Sequence, residues 1–389
     1  MQNITLRLDS TVGRVLLVSP WYKESLGGVA TVADRLLRLL PTVGVDSSLL
    51  VIDGTPESDD EQDDRVWYRY IPPAAFHCLR GRSIASILVR GSLVFWQLAR
   101  YIKAEQVQTI LIIFPTDASW MFRLLRLLPG TRLIVSCHGN DVTKYHELSA
   151  HERKVLRGVL LAADAIVVCA DHLAEKVKSI LPSRRPPITI IPNCVDVDYF
   201  TLPPAGFKRN ERPRTVIHVS NFATKKRTPD IIEAFARADL PSDSRLVMVG
   251  AGPDLNRAMD RAQSLCLARR VEFVGRQKDV RPFLWSADLF VLASDDEGAP
   301  LVLLEAMACG LPWVSTPWGV AATVPNGECG LVVPPASPHQ LAAAMTELMN
   351  DPQRCSEMGL RGRRRVEADF TLDKYLNQHL KVLREARMV

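Results

Sequence analysis

Two glutamates with seven residues between them, Glu297 and Glu305, stand in the segment Asp295-Asp296-Glu297-Gly298-Ala299-Pro300-Leu301-Val302-Leu303-Leu304-Glu305-Ala306-Met307-Ala308-Cys309-Gly310-Leu311-Pro312. An apolar run, Leu289–Ala293, reads as a strand that enters a short polar loop. A helix is predicted from Pro300, because proline is favoured at the first helical position. Gly310 and then Pro312 stop it. The first N–H groups of a helix have no partner within it, so those of Leu301 and Val302, aided by the helix dipole, offer a seat for a diphosphate. Glu297 sits on the loop before this seat, and Glu305 lies more than one turn into an otherwise apolar helix. A buried carboxylate needs a partner. Glu305 therefore either pairs with a basic residue elsewhere or accepts hydrogen bonds from ligand hydroxyls.

Such a site needs a scaffold, and the rest of the chain supplies a repeating one. Short apolar runs alternate with longer amphipathic segments. Strands are predicted at Arg14–Ser19, Ser48–Ile52, Val66–Ile71, Thr109–Phe114, Arg132–Cys137, Ala165–Cys169 and Ile188–Ile191, with a helix over Val29–Leu40 behind the pair Gly27-Gly28. Continuous apolar strands separated by helices mean a parallel sheet covered on both faces. The stretch Thr201 to Arg214, TLPPAGFKRNERPR, is rich in proline and charge and has no periodicity, which places a boundary there. The alternation then restarts at Thr215–Val219, Leu246–Val249, Val271–Val274, Leu289–Ala293, Trp313–Thr316 and Leu331–Val333, and the chain closes with a helix over Leu372–Ala386. The expected organisation is an N-terminal Rossmann-like domain (1–200), a linker (201–214), a C-terminal Rossmann-like domain (215–370) and a final helix (371–389) crossing back to the first domain. Two doubly wound α/β halves should leave a cleft at the carboxyl ends of their strands, where open α/β sheets bind ligands.

Composition narrows the class. The chain has 389 residues, 47% apolar and 23% charged, with a net charge of +5. This excludes disorder, collagen and coiled coil as descriptions of the whole. The mild basic excess permits an anionic ligand or membrane surface without implying nucleic acid. None of the eight cysteines forms a CxxC pair, so they read as small buried residues in a reducing compartment. Met1–Ser10 lacks an apolar core of the signal-peptide kind, and no apolar stretch is long enough for a membrane span. A cytoplasmic protein is expected. The acidic run Glu57–Asp64 has no His or Cys beside it and reads as a solvated loop. Gly250-x-Gly252 imitates a dinucleotide fingerprint, but Leu255 occupies the third glycine position.

At this level of detail the sequence resembles the retaining glycosyltransferases of family 4, which have the GT-B fold. The resemblance rests on Glu297-x7-Glu305 with Gly298 and the EAMACGLP tail, on Gly27-Gly28-Val29, and on His138-Gly139-Asn140-Asp141. It rests also on Ile191-Pro192-Asn193-Cys194-Val195-Asp196, Ser220-Asn221-Phe222 with Lys225-Lys226-Arg227, Gly250-Ala251-Gly252-Pro253 and Val271-Glu272-Phe273-Val274-Gly275. It implies the following roles. Lys226 neutralises the donor diphosphate as charge builds on the leaving group. Glu305 holds the ribose hydroxyls, Glu297 the donor sugar near the reacting centre, and His138 lies against the sugar and the acceptor. Gly27 and Gly28 let backbone approach the phosphate or the acceptor, and the stretch from Arg276 to Val280 meets the base. Asn221 stands where the family often has an arginine, so Lys225 or Arg227 supplies the second cation or it is missing. The resemblance also implies an enzyme without a metal or other cofactor, so the DxD-like Asp196-Val197-Asp198 is not read as a metal site.

The implied activity is retaining transfer of a hexose from a nucleoside diphosphate sugar, UDP or GDP favoured, to a glycan or lipid-linked acceptor of cell-envelope or exopolysaccharide synthesis. Three departures stand out. Trp318 and Ala322 occupy positions where the family commonly has glycine and glutamate, and Cys194 replaces a usual glycine. They keep open a non-catalytic GT-B-like binding subunit as an alternative. Finally, residues 66–104 contain no Asp or Glu but six Arg or Lys, interleaved with Phe95, Trp96, Tyr101 and aliphatics. A basic amphipathic helix from about Ser83 to Lys103 could lie on an anionic membrane, here the inner face of the plasma membrane, or pack on the sheet with a solvated basic face.

Overall fold

A computed structural model of the chain describes residues 12–22, 27–52, 63–69, 71, 84–207 and 213–386. The expectations for Met1–Ser10, for most of the acidic run and for residues 72–83 lie outside these. The described residues form two compact units, one reaching to Ile191 and taking in the chain from Tyr375, the other Pro192–Lys374.

The first unit holds strands β1 (Arg14–Ser19), β2 (Ser47–Val51), β3 (Val66–Tyr68), β4 (Val107–Ile113), β5 (Arg132–Cys137), β6 (Ala165–Val168) and β7 (Ile188–Ile190). They make one parallel sheet in the order β3-β2-β1-β4-β5-β6-β7. Its helices are α1 (Gly28–Thr42), α2 (Ile84–Ala104), α3 (Trp120–Leu125), α4 (Asn140–Thr143), α5 (Ala150–Ala162) and α6 (Asp171–Ile180). The central register pairs Leu17 with Leu49 on one side and Leu111 on the other. All three are buried, as an apolar run covered on both faces requires.

The second unit repeats the plan. Strands β8 (Thr215–Val219), β9 (Arg245–Val249), β10 (Val271–Gly275), β11 (Leu289–Leu292), β12 (Trp313–Ser315) and β13 (Gly330–Val332) lie parallel in the order β10-β9-β8-β11-β12-β13. Helices α7 (Thr228–Arg237), α8 (Leu255–Ser264), α9 (Arg281–Trp285), α10 (Leu301–Ala308), α11 (Pro338–Met349) and α12 (Pro352–Asp369) cover it, and α13 (Leu372–Glu385) leads out of it. Successive residues of a strand serve opposite faces. Val216 and Leu289 join Phe235, Met345 and Leu348 on one side, while Ile217 and Phe290 join Leu303, Met307 and Trp313 on the other. The second face is tightly closed. A Cβ at Gly330 would stand 2.2 Å from the Trp313 ring, and one at Gly359 of α12 only 2.0 Å from the Gly310 carbonyl oxygen.

The expected α/β class and its two parallel sheets are what the chain forms. The boundary differs from the proline-rich stretch. Val195 and Phe200 are already buried in the second unit's core. The Val195 N–H donates to Phe370 O at 2.9 Å, and the Arg363 guanidinium donates to the carbonyls of Val197, Phe200 and Ala308. Composition marks exposed chain near Leu202 and Phe207, but these contacts have already attached the preceding residues to the second unit. Of the described cysteines, six are buried and Cys266 is exposed, all as free thiols. No described helix is long and apolar enough to cross a membrane.

Candidate active site

The predicted donor residues meet on the loops that leave the carboxyl ends of β8, β9, β11 and β12. After β8, Ser220-Asn221-Phe222 runs into a tight turn over Thr224–Lys226, and Arg227 takes the left-handed conformation (φ 49°, ψ 43°) before α7. Gly250 and Gly252 follow β9. A Cβ at Gly250, whose φ is +127°, would lie 1.8 Å from Ser220 O, and one at Gly252 would lie 1.9 Å from Asn221 O. These glycines seat one loop directly on the other, which is the physical reason for the Gly-x-Gly pair. The loop after β11 is strapped to the same turn by the Asp295 N–H, which donates to Lys225 O at 2.8 Å.

Glu297 is the centre of the cluster and is nearly buried. Its Oε1 accepts from the Lys226 ammonium and, at 2.9 Å, from the Ser294 hydroxyl. Its Oε2 is 3.7 Å from Lys225 Nζ. Burial pushes this carboxyl up, but the two ammonium groups and the two hydrogen bonds outweigh it and hold the group below the usual carboxylate range. Ser294 is itself held, because its carbonyl accepts from Thr316 Oγ1 at 2.8 Å and from the Trp318 indole at 3.0 Å. Beneath the turn lies buried His218. Its Nδ1 donates to Val291 O at 2.9 Å, so Nε2 accepts from Ser220 Oγ at 2.8 Å. Burial lowers it to about 4, so it is a neutral prop.

The helix after Glu297 begins one residue later than proline preference suggests. Pro300 is the residue before α10, with extended backbone (φ −65°, ψ 114°). Its position is fixed from two sides. The Asn193 amide donates to Ala299 O at 2.7 Å. Gly319, at φ +58°, lies so close that a Cβ there would stand 2.8 Å from both Ala299 Cα and Pro300 Cδ. The amides of Leu301 and Val302 precede the first intrahelical bonds, and Gly298 is buried beside them. Glu305 falls in the second turn of α10, half-buried rather than enclosed.

The remaining candidates divide. Arg227 is turned away from Glu297, donating to Asp230 at 2.8 Å and lying 3.2 Å from Asp295. Lys225 is thus the second cation beside the glutamate. Asn221 and Arg276 are exposed, the latter just past Gly275 (φ +68°) at the end of β10.

His138, Gly27 and Gly28 belong to the first unit, at the carboxyl ends of β5 and β1. Gly27 has extended backbone (φ −141°) and Gly28 is the first residue of α1. The loop after β5 is organised by Asp141, whose carboxyl accepts from the N–H groups of His138 and Gly139, the latter at 2.7 Å. His138 Nε2 lies 2.9 Å from Ser136 Oγ. Desolvation, with a further contribution from His379 of α13, lowers His138 to about 3, and burial lowers His379 to about 4. Asp141 is raised to about 7 by burial, against the backbone bonds it accepts.

Sequence reasoning left Lys225 and Arg227 as alternatives for the second cation, of which Lys225 is the one beside Glu297, and missed Ser294, Thr316, Asn193 and Gly319 as supports. Trp318 appeared there only as a departure, yet its indole is one of the two donors that fix Ser294.

Two parallel Rossmann-like units, the second with a lysine–glutamate pair ahead of a short helix, define a GT-B glycosyltransferase. The family models agree: "Glycosyltransferase Family 4" matches residues 26–199 and "Glycosyl transferases group 1" matches residues 204–365. The chain belongs to the family-4 glycosyltransferases. It is 27% identical over 386 residues to a GDP-mannose-dependent alpha-(1-6)-phosphatidylinositol monomannoside mannosyltransferase of Mycobacterium tuberculosis, covering 93% of this chain and 96% of that enzyme. It is 28% identical over 254 residues to the N-acetyl-alpha-D-glucosaminyl L-malate synthase of Bacillus anthracis. That match spans 64% of this chain and 66% of the synthase, just under two thirds of its length. Among solved structures, Anabaena HepE in complex with UDP superposes with a TM-score of 0.80 at 16% identity, over 95% of this chain and 99% of that one.

Proposed function

We propose that the chain is a retaining, metal-independent hexosyltransferase, taking a sugar from a nucleoside diphosphate, UDP or GDP, to a glycan or lipid-linked acceptor of cell-envelope or exopolysaccharide synthesis. The observation that supports it best is the Lys226–Glu297 pair, with Lys225 beside it, ahead of the α10 N-terminus. Bond cleavage leaves two units of negative charge gathering on the β-phosphate. Preorganised cations and amides stabilise such charge without reorganisation. Lys226, Lys225 and the amides of Leu301 and Val302 serve there, and Gly298 leaves room for backbone approach. Glu297 accepts hydrogen bonds from donor sugar hydroxyls, Glu305 from the ribose, and the backbone around Arg276 meets the base. His138 lies against the sugar, and the Gly27-Gly28 loop against the phosphate or the acceptor. The GDP-mannose and UDP named for the relative and the structural neighbour both carry a diphosphate.

In the favoured reaction the anomeric C–O bond breaks and its electron pair passes to the β-phosphate oxygen. The acceptor oxygen attacks the same face, and its proton goes to that phosphate oxygen. The protein supplies position and charge rather than a strong base. The acceptor-side reading includes a membrane-facing α2, whose described residues expose Leu93 and Trp96 alongside Arg100 and Lys103. It would keep the enzyme at the inner face of the plasma membrane.

A thermal-shift panel of UDP, GDP, ADP and CMP on wild type and Glu305→Ala tests the donor site. Saturating nucleotide at a hundredfold excess over Kd should stabilise by roughly 2.7 kcal/mol. UDP or GDP should stabilise wild type and not the variant, and silence from all four overturns the reading. Product NMR showing inversion, or loss of turnover in EDTA, would remove retention or metal independence respectively.

A further inference from the structure

A second charged site on the first unit is made of residues other than those used so far. Arg123 of α3, Tyr145, and Arg153, Lys154 and Arg157 of α5 line a groove of about 590 Å³. The Arg123 head group lies close against α5 at Gly158, where a Cβ would come 2.9 Å from its Nη1. The surrounding carboxylates are committed elsewhere. Glu152 accepts from the Ser149 N–H, Glu147 pairs with Lys144, and Asp164 binds Arg126 and the Leu133 N–H. Arg123, Lys154 and Arg157 have no carboxylate partner among the described residues, while Arg153 donates to the carbonyls of His146 and Leu148 and is held in place. Leu161, which lines the groove, is 39% exposed, and Leu124 of α3 and Leu127 just beyond that helix are 43% and 73% exposed. Helix α3 packs on both α5 and α2, and Leu93 and Trp96 of α2 are 57% and 70% exposed. From residue 84 to 104 and from 120 to 130 there is no Asp or Glu.

We propose that this groove binds the phosphate headgroup of an anionic phospholipid in a bilayer, with Leu124, Leu127 and Leu161 entering the interface around it. Unpaired cations fix the sign of the ligand, and the exposed leucines of the groove and of the neighbouring α3 segment favour a phosphate that arrives attached to hydrocarbon over a free one. The inference rests on the proposed membrane association and deepens it, but it names a set of residues different from those of α2.

The test is co-sedimentation of the full chain with vesicles of phosphatidylcholine alone or with phosphatidylglycerol, at low and high salt. Four proteins are compared: wild type, the groove variant Lys154→Glu/Arg157→Glu, the α2 variant Leu93→Ser/Trp96→Ser, and the charge control Arg257→Glu/Arg269→Glu in the second unit. Wild type should bind only the anionic vesicles. The groove variant should lose at least about tenfold in partitioning while keeping its melting temperature and its nucleotide-induced stabilisation. The charge control should stay within about twofold of wild type. Free glycerol phosphate should not displace the protein. The proposal falls if the groove variant binds like wild type, if the charge control loses as much, or if glycerol phosphate competes. Loss in the α2 variant with an unchanged groove variant would leave the α2 reading standing and remove the groove. Loss in the groove variant alone would do the reverse.

Discussion

At the carboxyl edge of the second sheet the functional groups are ions that hold one another. Lys226 and Lys225 face Glu297, Ser294 bonds to it, and Trp318 and Thr316 fix Ser294. At the same edge of the first sheet the groups are neutral or set by backbone. His138 is held far below its ordinary pKa, Asp141 is raised to about 7, and Gly27 and Gly28 offer only main chain. The two edges come from the same βα architecture, so the difference lies in the loops. In the proposed reaction the departing nucleoside diphosphate calls for fixed charge at the second edge. A first edge that meets the sugar and the acceptor would need shape and a hydrogen-bonding ring, and fixed charge there would compete for the wrong atoms.

The strongest way to break this contrast is to remove charge from the second edge. Lys226→Ala should lower kcat by about 10²–10³. It also strands a nearly buried carboxylate with only Lys225 and Ser294, which costs roughly 3 kcal/mol of stability. Adding Glu297→Gln should restore most of the stability and none of the turnover. Denaturation and single-turnover kinetics on the three proteins separate the two effects. If turnover recovered with stability, the pair would be structural.

The neutral groups of both units make a second prediction, read in acid. His138 at about 3, and His218 and His379 at about 4, bind protons in the unfolded chain near pH 6.5 but not in the folded one. Their contribution is whole above pH 6.5 and is lost as pH falls, by up to about 1.4 kcal/mol per pH unit each. Asp141, raised to about 7, acts oppositely, because the folded chain keeps its proton where the unfolded chain has lost it. Its contribution grows as pH falls through 7. Melting temperatures from pH 7.5 to 5 should therefore decline, less steeply in His218→Gln and more steeply in Asp141→Asn. Parallel curves for all three would show that these groups titrate normally.

Most of this organisation was legible in the sequence, for identifiable reasons. Apolar runs such as Arg132–Cys137 and Thr215–Val219 became strands with those bounds, because a strand buried on both faces cannot hide its composition. Glu305 stood out because a carboxylate inside an apolar helix is costly unless it meets a cation or a ligand, although it proves half-buried, and Glu297 stood out by its place on the loop ahead of the helix start. What stayed hidden was pairing at a distance. Nothing in Thr201–Arg214 tells that Val195 and Phe200 already belong to the second core. Nothing in Lys225-Lys226-Arg227 tells which side chains turn toward Glu297. That choice is made by the left-handed backbone at Arg227 and by Asp230 and Asp295, which take its guanidinium. Lys225→Ala should accordingly cost about tenfold in kcat/KM and Arg227→Ala only about twofold, one exposed ion pair being worth little. The reverse order, measured with the donor varied, would mean that Arg227 swings to the diphosphate.

The smallest expected effect bears on how the charged edge is held. Trp318 stands where the family commonly has glycine, and its ring brings a donor that glycine cannot. Its indole N–H and the Thr316 hydroxyl share Ser294 O, and Ser294 in turn donates to Glu297. Trp318→Phe keeps most of the ring and deletes only that N–H. The carbonyl retains Thr316, so no acceptor is stranded, and the cost should be about 1 kcal/mol. Glu297 remains paired with Lys226, so the KM for the donor should change little. The loss should appear in kcat, a few-fold, because a slightly looser Ser294 lets the carboxylate drift from the geometry needed as charge develops. Trp318→Gly would restore the family residue but remove the ring as well, and a larger fall than in Trp318→Phe would show that the indole body also supports the loop. A rise in KM with unchanged kcat in Trp318→Phe would instead place Trp318 in ground-state binding, and the chain of bonds from Trp318 to Glu297 would lose its positioning role.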